Sequence, residues 1–371
     1  MNITFVTNTF SYGGATKMLL FIVEGLQSYG HKVSVININT LVGFDRMPPK
    51  DVEVRNADIK YVGTIQTNYE WIRFVYKNAK ELKSDILIGF IRKANMCAVV
   101  AGKMLGIPSI VCERSDPFFE IPQKRPLSLK INLAIANSSS GAIFQTKGAA
   151  AFYSKKLQEK GTIIPNPIDN PKKIYVKNYS VRPKTIVTHG RIDNKQKRLD
   201  VMIRGFSIFH KIHADYVLKI YGTGDDENRL RNLAKELDIE NAILFMGKTV
   251  DPMSDISKEG IYAITSDYEG ISNSLLEAMA VGLPVVSTDH SPGGGQLLIT
   301  DHINGLLIPP SSPYSLAGAL TEYADNPALA EKCGKEAKKV LIDYNPEVII
   351  AEWNNYIENI YLNYNKGRIN G

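Results

Sequence analysis

Glu269 and Glu277 stand eight residues apart in the stretch Asp267–Pro310, DYEGISNSLLEAMAVGLPVVSTDHSPGGGQLLITDHINGLLIPP. A carboxylate on a loop and another near the start of a helix can accept hydrogen bonds from sugar hydroxyls. The acidic residue of dinucleotide folds does this for ribose. Gly270 and Ser272–Ser274 read as the approach to a helix, Leu275–Val281 is apolar except for Glu277, and Gly282 with Pro284 stops it. A helix start offers backbone N–H groups and partial positive charge, which suit phosphate. Asn273, Ser274 and Leu275 are therefore candidate contacts on the phosphate side. Glu277, near the first turn, is a candidate ribose acceptor, and Glu269 can reach a second sugar. Ser274-x-x-Glu277 also fits a capping box, in which Glu277 only satisfies backbone. The spacing alone leaves both readings open. Val285–Thr288 then reads as a buried strand, Gly293–Gly295 as a glycine loop, with Gly294 at its centre, and a second helix begins at about Gln296.

Cations come from another segment. Thr185–His189 has the pattern of a strand, and Gly190-Arg191-Ile192-Asp193-Asn194-Lys195-Gln196-Lys197 follows it. Arg191 as a planar fork and Lys197 as a point charge can both meet a diphosphate. Lys195 and Arg198 are alternatives to Lys197. Two more strand-to-glycine turns have the same logic: Gly13 and Gly14 after Ile3–Thr7, and Gly222 and Gly224 after Val217–Tyr221. Arg114 follows the strand Ser109–Glu113 and is placed for donor or acceptor, or paired with Asp116 on the surface.

Glu-x7-Glu, then Gly282-x-Pro284-Val285-Val286, the glycine loop and Asn304-Gly305-Leu306-Leu307 together resemble the signature of retaining glycosyltransferase family four, of the GT-B fold. The likeness extends more weakly over most of the chain. It implies that Glu269 contacts the donated sugar, that Glu277 holds the ribose and that the loop at Gly294 faces the donor pyrophosphate. It also implies that Gly13 and Gly14 face the sugar–phosphate bond, and that nucleotide approaches Gly222 and Gly224. Taking Lys197 as the partner of Arg191 makes the spacing one residue longer than the family's. Many members carry a histidine near the corner that here reads Glu113-Arg114-Ser115-Asp116. The resemblance further implies retention by front-side attack, with the acceptor hydroxyl losing its proton to the leaving phosphate oxygen. The implied donor is a nucleotide sugar, with UDP favoured. The implied acceptor is a glycan or an undecaprenyl-linked sugar in polysaccharide or O-antigen assembly.

The elements that must carry these residues alternate along the chain. Short apolar strands separated by amphipathic helices imply doubly wound parallel sheets, whose ligands bind beyond the carboxyl ends of the strands. The expected fold class is α/β: GT-B, two Rossmann-like domains facing a cleft. Ile164-Pro165-Asn166-Pro167-Ile168-Asp169 is the expected linker, since its prolines force extended backbone. The expected domains are residues 1–168, joined by a crossing helix at about 350–371 that Trp353, Tyr356 and Tyr361 can anchor, and residues 169–349.

At 371 residues, 44% hydrophobic and 22% charged, the chain fits two well-cored domains. Cys97, Cys112 and Cys333 show no metal or disulfide spacing, which fits a reduced, cytoplasmic setting. The start runs straight into a strand pattern, unlike a signal peptide, and no apolar run approaches the ~20 residues of a membrane span. A net charge of +6 permits anionic partners, but no nucleic-acid module is visible. Lys124, Arg125, Lys130, Lys147, Lys155 and Lys156, near the aromatics of Pro117–Leu133, form a basic surface suited to the anionic inner membrane. No Asp-x-Asp pair offers a metal site, so no metal and no other cofactor is expected. A sugar-nucleotide 2-epimerase would need histidines flanking the sugar, and few are placed for that. An NAD-linked dehydrogenase would need Gly-x-Gly-x-x-Gly after the first strand, which is missing. A non-catalytic partner protein would not need Glu269, Glu277, Arg191 and Lys197 together.

Overall fold

The computed structural model describes residues 1–8, 14–39, 48–120, 126–172, 174 and 182–369. Gly13, Lys124 and Arg125 lie outside the described residues. The chain divides into two compact units, Met1–Asn166 with Glu347–Gly371, and Pro167–Pro346.

Among the described residues the first unit carries seven strands: β1 (Asn2–Thr7), β2 (Lys32–Asn37), β3 (Glu53–Asn56), β4 (Ile86–Phe90), β5 (Ser109–Glu113), β6 (Gly141–Phe144) and β7 (Gly161–Ile163). They form one sheet in the order 3-2-1-4-5-6-7, with every pair parallel. Ile3, Phe5, Val6, Ile86, Leu87 and Ile88 are fully buried because helices cover both faces of such a sheet. The C-terminal helix packs into this unit. Trp353 is fully buried among Ile3, Phe5, Leu19 and Phe90. The hydroxyl of Tyr356 accepts from the Ala142 N–H at 2.9 Å and donates to the Lys160 carbonyl, while Tyr361 is only half-buried.

The second unit carries β8 (Thr185–His189), β9 (Val217–Tyr221), β10 (Ile243–Gly247), β11 (Ile261–Ile264), β12 (Val285–Thr288) and β13 (Leu306–Ile308). Their order is 10-9-8-11-12-13, again all parallel. Strand order reverses at β8, so the chain leaves β8 and β11 at their carboxyl ends in opposite senses. In open α/β sheets this is where ligands bind.

Both sheets are Rossmann-like, as expected. β5, β8, β9 and β12 have the expected bounds. Past β13 the helices Pro313–Asp325, Pro327–Ala337 and Val340–Asp343 follow, with a break after Ala337. Ala337 and Val340, one on either side of the break, both pack on the core beside Leu275 and Met279. Strand β3 had no signal, because EVRN is polar and partly exposed at the sheet edge.

Candidate active site

From His189 at the end of β8 the chain turns through Gly190 into a short helix, Asn194–Lys197, whose N-cap Asp193 accepts from the Lys195 N–H at 3.1 Å. The Asn194 N–H donates to Asp226 at 2.7 Å. A loop after β11 locks onto this turn. Thr265 Oγ1 donates to the carbonyls of Lys197 and Arg198 at 3.0 and 2.9 Å, and the Asp267 N–H donates to the Gln196 carbonyl at 3.0 Å. Two strands adjacent in the sheet thereby bring residues far apart in sequence together, and Lys197 forms an ion pair with Glu269. Ser266 Oγ also donates to Glu269, at 2.9 Å. Burial pushes the Glu269 carboxyl up. The Lys197 ammonium, the His290 ring and the hydrogen bonds of Lys197 and Ser266 outweigh it, so the pKa lies below the ordinary carboxylate value. Glu269 is thus a buried carboxylate held by a lysine that remains 19% exposed.

Glu277 belongs to the helix Asn273–Ala280, which begins one residue after Ser272. It lies in the second turn, not the first, and its carboxylate is bonded to His189 Nε2 at 2.8 Å. Ser272 is the N-cap and makes no side-chain cap. The capping-box reading of Ser274-x-x-Glu277 is therefore wrong. The helix starts two residues too early for Ser274 to cap it, and Glu277 turns inward toward β8. Asn273, Ser274 and Leu275 form the first turn, where N–H groups have no intrahelical acceptor. Ser274 shares a recess with His189, Gly190, Arg191, Lys197 and Ser266.

The glycines make this convergence possible. Gly222 has φ +136°, and a Cβ there would stand 1.8 Å from the Gly190 carbonyl oxygen. A Cβ on Gly294 would stand 2.0 Å from the Gly270 oxygen and 2.8 Å from the His290 ring. Gly224 is likewise packed on the Ile192 carbonyl. The backbone that these three residues admit is the protein's own.

Arg191 is 66% exposed, bridging Asp193 at 3.2 Å and Gln196 at 3.1 Å on the rim of the recess. Lys195 is exposed. Arg198 is committed elsewhere. It binds Asp200, Asp267 and Ser311, and the Asp200 and Asp267 carboxylates hold its guanidinium well above the ordinary arginine value. Of the three candidate partners for Arg191, Lys197 is the one paired with Glu269.

In the first unit, Gly14 opens the helix Gly14–Ser28 and is exposed. Arg114 is not a surface residue paired with Asp116. Its side chain is buried, donates to the Ile164 carbonyl at 3.3 Å and to Asn166, and lies 5.9 Å from the rings of Phe90 and Trp353.

Two site residues were missed from the sequence. His189 was legible as the last residue of β8, though nothing local linked it to Glu277. His290 precedes the glycine loop and is 1% exposed. The scarcity of placed histidines, used against an epimerase, does not hold here.

Residues 170–340 match the family described as Glycosyl transferases group 1. The chain is 27% identical over 352 residues to an uncharacterized glycosyltransferase of Haemophilus influenzae, covering 94% of this chain and 97% of that protein. It is 30% identical over 278 residues to N-acetylgalactosamine-N,N'-diacetylbacillosaminyl-diphospho-undecaprenol 4-alpha-N-acetylgalactosaminyltransferase of Campylobacter jejuni, covering 71% of this chain and 73% of that one. Among solved structures, Anabaena HepE in complex with UDP superposes with a TM-score of 0.79 at 15% identity, covering 97% of this chain and 100% of HepE.

Proposed function

The chain belongs to the glycosyl transferases group 1 and is a glycosyltransferase, and from that premise we propose that it is a retaining enzyme. On this reading it moves a hexose or N-acetylhexosamine from a UDP-sugar to a glycan or undecaprenyl-linked acceptor in cell-surface polysaccharide assembly. The observation that carries the reading is the pairing of Lys197 with Glu269 and of His189 with Glu277 at the strand-order reversal of the second sheet. The UDP seen with HepE and the undecaprenol in the name of the Campylobacter relative support the donor and acceptor classes.

Glu277, oriented by His189, accepts from the ribose hydroxyls. Glu269 accepts from the transferred sugar. Lys197 and Arg191 meet the charge that grows on the leaving diphosphate as the sugar–phosphate bond breaks, while the first-turn N–H groups of Asn273, Ser274 and Leu275 add partial positive charge, as does the start of the short helix Gly294–Leu298, which begins at Gly294 and not at the expected Gln296. Gly222 and Gly224 hold the nucleotide-side turn. Arg114 positions the end of β5 through Ile164 and Asn166 rather than touching donor. With two cations assigned to the diphosphate, transfer proceeds without a divalent ion.

No helix among the described residues is long and apolar enough to cross a membrane. The helix Pro126–Asn137 exposes Leu127 and Ile131 beside Lys130, with Phe118 and Phe119 exposed before it. This face, with Lys155 and Lys156, suits peripheral contact with anionic lipid on the cytoplasmic side.

A thermal-shift screen of UDP-, GDP- and ADP-sugars in EDTA tests the donor class. UDP-sugars should stabilise most, since a ligand that binds only the folded state raises Tm with its affinity. A larger shift with a GDP- or ADP-sugar, or a shift that needs added magnesium, would overturn the assignment. Incubation with donor alone should yield no epimer.

A further inference from the structure

His290 lies in the loop after β12, where its carbonyl accepts from the Gly293 N–H at 2.9 Å. The loop is zipped to the Glu269 segment. The Glu269 N–H donates to the Ser291 carbonyl at 2.9 Å, and the Ser291 N–H donates to the Asp267 carbonyl at 3.3 Å. The ring is 1% exposed, and among the described residues neither nitrogen has a partner apart from the backbone of Ser291 beside it. A buried polar group left in this way calls for an explanation. The ionisable groups facing the ring are Glu269 from the loop after β11, Lys197 from the turn after β8, and Asp289 from its own loop.

We propose that His290 takes up a proton when a nucleoside diphosphate draws Lys197 away from Glu269, so that the site registers whether its nucleotide still carries a sugar. This rests on the reading of Lys197 as the diphosphate's cation and Glu269 as the sugar contact. While Lys197 is bonded to Glu269, the pair is neutral. Burial, with repulsion from Lys197, then holds the imidazole below its ordinary value despite the Glu269 charge. A diphosphate that recruits Lys197 leaves Glu269 buried without its counter-charge, a costly arrangement. A proton from solvent on the free nitrogen of His290 restores the balance as a carboxylate–imidazolium pair. An intact donor does not require this, because sugar hydroxyls donate to Glu269 and stabilise its charge. Nucleoside diphosphate without sugar is the product of transfer. Its binding is coupled to proton uptake, so its affinity rises as pH falls and its release is eased as pH rises.

The test is calorimetry of UDP binding at neutral pH in buffers of different ionisation heat, which counts the protons exchanged. The full-length protein is compared with His290→Asn and Glu269→Gln. Protons exchanged by UDP's own phosphate are common to all three and cancel. Wild type should take up roughly half a proton or more per UDP beyond either variant. Equal uptake in all three proteins would overturn the proposal while leaving the donor site intact. Uptake lost in Glu269→Gln but kept in His290→Asn would place the proton on the carboxylate and overturn the role of the histidine. If His290→Asn does not fold, the comparison with Glu269→Gln still decides whether uptake depends on the Glu269 charge, and the ring's own NMR titration in wild type with and without UDP decides where the proton sits. A ring that stays neutral on UDP binding refutes the proposal. Failure of wild type to bind UDP would overturn this inference and the site reading together.

Discussion

Arg114 and Lys197 are both cations just beyond the carboxyl end of a strand in a parallel sheet, and their surroundings differ. Arg114 follows β5, one strand out from the order reversal of its sheet between β1 and β4. Its guanidinium is buried and spent on the Ile164 carbonyl and Asn166. Lys197 follows β8, which borders the reversal of the second sheet, and its ammonium meets one carboxylate at the edge of a recess. A cation with several internal acceptors holds structure in place. One with a single ionic partner and open solvent beside it can exchange that partner for a ligand. Proximity to a strand end does not distinguish the two; position relative to the reversal does.

The sharpest way to break this contrast is Lys197→Ala. If Lys197 meets charge that develops on the leaving diphosphate, turnover should fall by roughly a hundred- to thousand-fold, about 3–4 kcal/mol. Lys195→Ala should change it little. Transfer assays on purified variants, with and without EDTA, decide this. A Lys195 variant as impaired as the Lys197 variant would reverse the assignment.

The next effect sets Glu277→Ala against Arg114→Ala. Loss of Glu277 should weaken UDP binding by about 1.5–3 kcal/mol, the range for hydrogen bonds to a charged group, in a protein that still folds. Loss of Arg114 should do the opposite. It removes donors from Ile164 and Asn166 and opens space between Phe90 and Trp353, costing about 1–3 kcal/mol of stability with UDP affinity retained. Titration calorimetry and thermal melts on the same samples separate them. Weakened UDP binding in a stable Arg114→Ala protein would return that residue to the donor site.

The smallest effect concerns cations of the first unit that are fully outside its core. Lys155 and Lys156 are exposed. If they meet anionic lipid, each contributes about 1 kcal/mol, screened by salt. The double alanine variant should sediment less with anionic vesicles at low salt than wild type does, with the difference vanishing at high salt. Equal sedimentation with neutral vesicles would remove the membrane from the picture.

Much of this molecule was written locally. Short runs rich in β-branched and apolar residues marked β5, β8, β9 and β12, because a strand covered by helices must bury most of its side chains. Gly282 and Pro284 marked the end of the helix carrying Glu277, and the glycine turns marked where loops leave the sheet. The family signature was legible for the same reason: it lies within one continuous stretch. The sequence alone therefore determined the fold class and the family.

Partnerships were decided by tertiary structure. His189 and Glu277 are 88 residues apart, and Lys197 and Glu269 are 72 apart. Neither pair leaves a periodic trace, because each depends on β8 and β11 lying side by side. The start of the helix at Asn273 rather than two residues later decided whether Glu277 capped backbone or met His189. Burial of Arg114 depended on the chain at Ile164–Asn166 and on Trp353 from the C-terminal helix. Local pattern reports which residues can be buried and where the chain turns. Which charges then face each other follows from strand order, and strand order is a property of the assembled sheet.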